Sequence, residues 1–378
     1  MINPAKFFNL LKDNEINFYS GVPDSLLKNI CAYITDNVSK ENNIIAANEG
    51  GAIALGAGYH LATGKIPLIY MQNSGIGNAI NPLLSLADKK VYSIPMLLMI
   101  GWRGEPGVKD EPQHIKQGEV TLKLLEVMDI PYVVIPADFE EAKAIIEEII
   151  KLATSNSGPV AIVIRKDTFE TYKLQTNIEK NFEMTREDAI KIIIDSLENH
   201  DIVVSTTGKT SRELFEYREK LNQSHENDFL TVGSMGHASQ IALGIAIQKP
   251  NRQVYCFDGD GSVIMHTGSL GIIGEVAPKN FKHIVFNNGA HDSVGGQPTI
   301  GFNIILTKIA ESFNYKFVAK VKTIKDLKIN CNKLKSINDT AFLEICVNKG
   351  ARKNLGRPTN TTHENKTNLM KEFYDKLN

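Results

Sequence analysis

Cysteine is scarce and unpatterned: the 378 residues include four, Cys31, Cys256, Cys331 and Cys346, with no CxxC pair among them. That argues against disulfides and cysteine-bound metal, and two of the four (Cys256, Cys346) lie in apolar strand-like runs, so reduced core thiols of a cytoplasmic protein are expected. Excess charge of either sign is also missing. Forty-two Lys+Arg stand against 43 Asp+Glu, a net charge of -1. No global basic field is available to hold nucleic acid or an anionic membrane, and any anionic ligand must be gripped locally. Apolar runs such as PMLLMIG (95–101) fall far short of the roughly 20 residues that cross a bilayer. The opening stretch MINPAKFFNLLKDNEINFYS has no basic segment followed by an apolar one and a small-residue cleavage site, so no signal peptide is expected.

What is present is the composition of a globular protein. Hydrophobic residues make up 42% and charged residues 22%, which excludes disorder, collagen and coiled coil as the whole-chain answer. The length predicts about two or three domains. Up to residue 168, short apolar β-rich runs, IIAAN (44–48), IPLIYM (66–71), PMLLMIG (95–101), PYVVIPA (131–137) and GPVAIVIR (158–165), alternate with helical stretches over 51–61, 78–89 and 140–153. That alternation is the signature of a parallel sheet with helices on both faces. A polar stretch over 166–183 interrupts it, and Thr185-Arg186-Glu187-Asp188 then opens a helix with the pattern of a capping box. A second series follows, with strands expected at 201–207, 229–234, 253–259, 281–288, 315–321 and 340–347. The predicted fold class is α/β: two similar domains in tandem, 1–168 and 185–350, joined by a linker (169–184), with a C-terminal tail (351–378) carrying a terminal helix. No repeat is visible at the residue level.

The chemistry concentrates in the second half. The strand QVYCFDG runs into Gly259-Asp260-Gly261-Ser262, and the stretch HIVF, which ends 25 residues after Gly261, runs into Asn287-Asn288. In an open parallel sheet both strand ends lie at the carboxyl edge, where ligands bind. A carboxylate and an amide oxygen converging there suit a Mg2+ or Ca2+ ion that leaves positions open for phosphate oxygens. The flanking glycines let backbone N–H groups approach those phosphates. Gly-Asp-Gly alone is also a common turn; the paired asparagines, the spacing and the strand contexts make it a site.

These residues, with Leu243-Gly244, Pro250 and Tyr255 before them, resemble the signature of thiamine diphosphate-dependent enzymes. The resemblance implies thiamine diphosphate and Mg2+ as cofactors, Asp260, Asn288 and the carbonyl of Ala290 as metal ligands, and Gly259, Gly261 and Ser262 against the diphosphate. Gly233-Ser234-Met235-Gly236 resembles the segment in which a bulky residue, here Met235, bends the cofactor while the Gly233 carbonyl accepts from its 4'-amino group; an ordinary core methionine is the alternative. Glu49, ahead of Gly50-Gly51-Ala52, resembles the activating glutamate that hydrogen-bonds the pyrimidine N1'. The first domain would bind the pyrimidine and the second the diphosphate. Since the family builds each site from two subunits, the resemblance also implies self-association with the site at the interface.

A narrower resemblance is to the phosphonopyruvate and sulfopyruvate decarboxylases, through GVPDSLL (21–27), AANEGGAIALGAGYHLATG, YMQNSGIGNAINPLLSL, GWRGEPGVKDEPQH, GSMGHASQIALGIA and NNGAHDSVGGQPT. It implies a carboxy-lyase that turns 3-phosphonopyruvate into phosphonoacetaldehyde and CO2 in phosphonate biosynthesis. There is no central third domain of the kind larger 2-oxo acid decarboxylases and acetolactate-type carboligases carry. Asp24 and His114 resemble the acid and histidine that handle substrate and protons, with a structural cap and a satisfied loop histidine as the alternatives. Arg103, Lys109, His114, His291, Arg352 and Arg357 are the groups expected to meet the phosphonate, Arg because it fits such an oxyanion in bidentate fashion; a solvated surface charge is the alternative for each. Sulfopyruvate decarboxylation and a non-catalytic thiamine diphosphate-binding protein stay open as other readings.

Overall fold

The computed structural model describes residues 1–175 and 181–371. Residues 176–180 of the expected linker and 372–378 of the expected tail lie outside the described residues. The chain divides into two compact units, Met1–Ile178 with Ser293–Gln297, and Glu179–Asp292 with Pro298–Asn378.

The first unit carries a six-stranded sheet of β1 (Tyr19–Gly21), β2 (Asn43–Ile45), β3 (Leu68–Gln72), β4 (Met96–Gly101), β5 (Tyr132–Val134) and β6 (Pro159–Ile164). Its helices are α1 (Pro4–Asp13), α2 (Lys28–Asn37), α3 (Glu49–Thr63), α4 (Ile76–Pro82), α5 (Pro112–Val127) and α6 (Phe139–Asn156). All pairings are parallel and the order is β2-β1-β3-β4-β6-β5. Strand side chains point alternately to two faces, and both faces are covered. Leu97, Met99, Val160 and Ile162 enter one core, whereas Met96, Leu98, Ala161 and Val163 enter the other. This explains why β4 and β6 read as unbroken apolar runs. Phe169, at the head of the expected linker, is buried in the first of these cores, and Ile2 bridges to it.

The second unit has β7 (Ile202–Ser205), β8 (Asp228–Leu230), β9 (Val254–Gly259), β10 (Phe281–Asn287), β11 (Phe317–Val321) and β12 (Ala341–Cys346). Around them lie α7 (Arg186–Ile194), α8 (Lys209–Lys220), α9 (Ala238–Gln248), α10 (Asp260–Met265), α11 (Gly268–Val276), α12 (Leu306–Ser312), α13 (Ile324–Ser336) and α14 (Thr362–Leu369). The order β8-β7-β9-β10-β12-β11 repeats that of the first sheet strand for strand. The expected tandem of two α/β domains is therefore present as a repeat of topology without a repeat of residues. Thr185 caps α7 reciprocally with Asp188, as the sequence pattern predicts. Cys31, Cys256, Cys331 and Cys346 are all buried free thiols. No helix among the described residues is long and apolar enough to cross a membrane.

Three elements differ from expectation. β1 is only three residues long, too short to announce itself by alternation. The run IIAAN is a strand only to Ile45, because Asn48 leaves the sheet to cap α3, its side chain accepting from Gly51 N at 2.9 Å. The helix expected over 78–89 regularly winds only to Pro82 and then widens over Leu83–Ala87, as befits a residue with no N–H to donate.

Candidate active site

In the first unit the functional side chains stand at the carboxyl edge of the sheet, beside the point where the strand order reverses between β1 and β3. Glu49 is the first residue of α3 and is 5% exposed. Its Oε2 accepts from Asn78 Nδ2 at 2.7 Å. Burial raises its pKa, an effect that the Asn78 hydrogen bond partly offsets. Gly75 makes room for this carboxyl: a Cβ there would overlap Glu49 Oε1. Neither Asn78 nor Gly75 stands out in the sequence, although both belong to the stretch QNSGIGN after β3.

Asp24, which follows β1, is fully buried. Its Oδ2 accepts from the backbone N–H groups of Leu26 (2.7 Å) and Leu27 (3.2 Å), and Oδ1 from Gln72 Nε2 at 2.6 Å. Burial raises its pKa and these bonds pull the other way. The geometry is that of a cap on the turn into α2, with Gln72 linking it to the end of β3.

The loop after β4 is tied from within. Arg103 gives Nε to Asp110 Oδ2 at 2.8 Å, a second nitrogen to Asp110 Oδ1, and the third to Ser25 Oγ at 2.7 Å. Asn73 holds the same loop by donating to the Arg103 carbonyl (2.8 Å) and to Thr121 Oγ1 (2.8 Å). Arg103 is thus engaged by its own loop. Lys109, near the loop's end, is exposed. His114 lies in the first turn of α5 with Nδ1 buried and unpartnered; burial first, and Arg103 second, lower its pKa to about 4.

The second unit places its residues at the equivalent edge. β8 ends at Leu230, and the turn that follows holds Ser234 (φ 52°) and Gly236 (φ 83°) in the left-handed region on either side of Met235. A non-glycine residue there is a departure of the kind found at functional sites. This turn, with Gly233 half-buried in it, is why the strand expected to reach 234 stops early. Gly259 caps α10, its N–H donating to Asp258 Oδ1 at 2.9 Å. A Cβ on Gly261 would lie 3.3 Å from Met235 Cε and 3.3 Å from the ring of His291, so these residues converge on one space. His291 is held neutral by burial, its pKa lowered to about 4. Ser262 shares a hydrogen bond of 2.9 Å with Thr206 Oγ1 at the end of β7.

Asp260 is 2% exposed, and burial raises its pKa to about 6 although Thr299 Oγ1 and the Asn288 backbone N–H donate to its carboxyl. Asn288 follows the neighbouring strand β10 and Ala290 lies in its loop, with Ala290 N donating to Asn288 Oδ1 at 3.0 Å. A buried carboxylate with only neutral donors around it, just past the strand next to the one that leads to the Asn288 amide oxygen and the Ala290 loop carbonyl, belongs to a hard-oxygen set that a divalent cation such as Mg2+ would complete. The residues fit the metal and, through the glycines and the Met235 turn, the diphosphate cofactor.

The C-terminal arginines differ. Arg352 gives Nε to Glu187 Oε2 at 3.1 Å and pairs with Glu216, fastening the chain after β12 to α7 and α8. Arg357 is exposed.

Comparison with known proteins finds one enzyme family over both units. Residues 5–125 match the thiamine pyrophosphate enzyme N-terminal TPP binding domain, and residues 206–345 the C-terminal TPP binding domain. Phosphonopyruvate decarboxylase of Streptomyces viridochromogenes is 31% identical over 96% of this chain and 93% of its own length. The protein of the same name from Streptomyces hygroscopicus is 30% identical over 96% and 92%. Sulfopyruvate decarboxylase of Methanosarcina acetivorans is 28% identical over 93% and 92%. The chain belongs to the thiamine pyrophosphate enzyme family, within its phosphonopyruvate decarboxylase branch.

Proposed function

We propose that this protein decarboxylates 3-phosphonopyruvate to phosphonoacetaldehyde and CO2, with thiamine diphosphate and Mg2+ as cofactors, as a step of phosphonate biosynthesis. The observation that carries the reading is the pair of buried acids at matching sheet edges: Glu49 in the first unit, and Asp260 beside Asn288 in the second. The substrate follows from the two Streptomyces relatives, whose similarity runs the length of the chain.

Bound thiamine diphosphate supplies an electron sink for the pair released when the bond to the carboxylate breaks. Glu49, whose pKa burial raises, would hydrogen-bond the pyrimidine N1', and the Gly233 carbonyl would take the 4'-amino group. Met235 would set the angle between the rings. Asp260, Asn288 and the Ala290 carbonyl would hold the cation that anchors the diphosphate, with Gly259, Gly261 and Ser262 around it. On this reading 1–168 is the pyrimidine domain, 185–350 the diphosphate and metal domain, 169–184 the link and 351–378 a tail. Self-association would bring Glu49 of one subunit to the metal edge of another. Arg103, Lys109, His114, His291, Arg352 and Arg357 would be the groups that meet the phosphonate, Arg103 and Arg352 only by exchanging Asp110 and Glu216 for it. Asp24 would act by shaping the turn at the mouth of β1.

The sulfopyruvate relative favours a second reading, the same chemistry on a C3 sulfonate. The test is CO2 release from phosphonopyruvate and sulfopyruvate in parallel, with and without thiamine diphosphate and Mg2+. Turnover of phosphonopyruvate that is lost when either cofactor is withheld is the expected result. Faster release from sulfopyruvate would transfer the assignment, and cofactor binding without turnover of either acid would make the protein a non-catalytic binder.

A further inference from the structure

Glu344 lies in the middle of β12 and is fully buried. A carboxylate in a central strand is costly unless it is paired and hydrogen-bonded. Register puts Lys320 of β11 on one side of it and Val285 of β10 on the other. Asn287, two residues beyond Val285, therefore shares its face of the sheet. Glu344 Oε1 receives both neighbours: Lys320 Nζ at 2.6 Å and Asn287 Nδ2 at 2.8 Å.

Asn287 in turn clips the loop after β10 at both ends. Its Nδ2 also donates to the Gly301 carbonyl at 2.7 Å, and its Oδ1 accepts from Gly289 N at 3.1 Å. Glu344 Oε1, which also receives Lys320 Nζ, stands as an acceptor, so Glu344 dictates which way the Asn287 amide faces; flipped, its oxygen would oppose Glu344 and the Gly301 carbonyl. Gly301 is wedged between Asn287 and the metal-site acid: a Cβ there would lie 2.5 Å from Asp260 Oδ2 and 2.8 Å from Asn287 Oδ1. Asn288 lies between Asn287 and the clipped Gly289, and Ala290 follows Gly289 inside the loop.

We propose that Lys320, Glu344 and Asn287 form a positioning relay that sets the shape of the metal-binding loop, with Glu344 as its central positioning residue; this rests on the metal assignment made under the proposed function. Glu344 need not touch the cation. It fixes the amide that fixes the loop. Lys320, 31% exposed, brings the relay's countercharge from the surface.

The relay is tested on full-length protein stripped of metal, with Mn2+ as the probe, its binding followed by electron paramagnetic resonance in the presence of thiamine diphosphate. Glu344→Ala should weaken Mn2+ binding by about 10- to 100-fold, the usual effect of losing a group behind a metal ligand. Glu344→Gln, whose side-chain oxygen still accepts from Asn287, should restore most of that affinity. Lys320→Met should fall between the two. A folded Glu344→Ala protein that binds Mn2+ like the wild type overturns the proposal. If that variant does not fold, Lys320→Met decides alone, and unchanged affinity rejects the relay. Absence of Mn2+ binding by the wild type would instead overturn the functional reading beneath it.

Discussion

Glu49 shows how one side chain depends on a residue that has none. Its carboxyl occupies the volume that a Cβ on Gly75 would fill. Glu49→Gln should lower turnover by about 10²- to 10⁴-fold, the range for losing a proton-handling group, while thiamine diphosphate still binds. Gly75→Ala should displace the carboxyl, costing about 10²-fold in turnover for a small misplacement. If both act through the same carboxyl, the double variant should be no slower than Glu49→Gln, and multiplicative losses would refute the coupling. Lys282 offers a test of pH dependence. It is fully buried, and its Nζ donates to the carbonyls of Lys279 (3.0 Å), Ile337 (2.9 Å) and Asp339 (2.6 Å). Burial lowers its pKa to about 8, with Asp339 opposing. Between that value and the unfolded one of about 10.4 the unfolded chain binds more protons, so stability rises with pH. Against Lys282→Met, the wild type should gain about 2 kcal/mol between pH 7.5 and 9.5 in chemical denaturation.

Among the elements, the site is built from loops that leave strand ends, and each is held differently. The Met235 turn is shaped by left-handed backbone at Ser234 and Gly236. The loop after β4 is shaped by one acid: Asp110 accepts from Arg103, from Gly104 N at 2.9 Å and from Glu111 N at 2.7 Å. Asp110→Ala should therefore speed hydrogen exchange over 104–111 and lower kcat/KM by about tenfold, which corresponds to about 1.4 kcal/mol, the worth of one charged hydrogen bond. Exchange unchanged from the wild type would mean that packing of Gly104 against Gly118 holds the loop instead. The Gly and Pro of that loop are visible in GWRGEPGVKDEPQH, but its internal ion pair is not: the sequence shows Arg103 and Asp110 seven residues apart, and only the fold turns them toward each other.

For the whole molecule, an exposed apolar stripe on α3 stands out. Gly51, Ala54, Leu55 and Gly58, with Phe18, Ile44 and Tyr59, line a cavity of about 480 Å3, and Leu61 farther along is 73% exposed. In the second unit Ile272 of α11 is 56% exposed. Such surface on the helix that begins with Glu49 is what the proposed self-association would bury. Sedimentation should give at least a dimer, and Leu55→Asp with Leu61→Asp should dissociate it and abolish turnover while leaving the circular dichroism spectrum unchanged. A fully active monomer would refute the shared site.

The chain's residues alone determined the two α/β halves, because β4 and β6 are buried on both faces and are written in continuous apolar runs, and β9 and β10 carry the shorter apolar stretches VYCF and IVF. They determined Glu49, Asp260 and Asn288 as the acids and amide of interest, because strand-end motifs are local in sequence. Tertiary structure decided the rest. It showed that the two sheets share one strand order, which depends on hydrogen-bonded pairings between distant segments. It took Arg103 and Arg352 into ion pairs, and it set Asn78, Gly75 and Glu344 behind the site. Those partners come from separate loops and strands, and nothing in a linear pattern records which side chains a fold will bring within hydrogen-bonding distance.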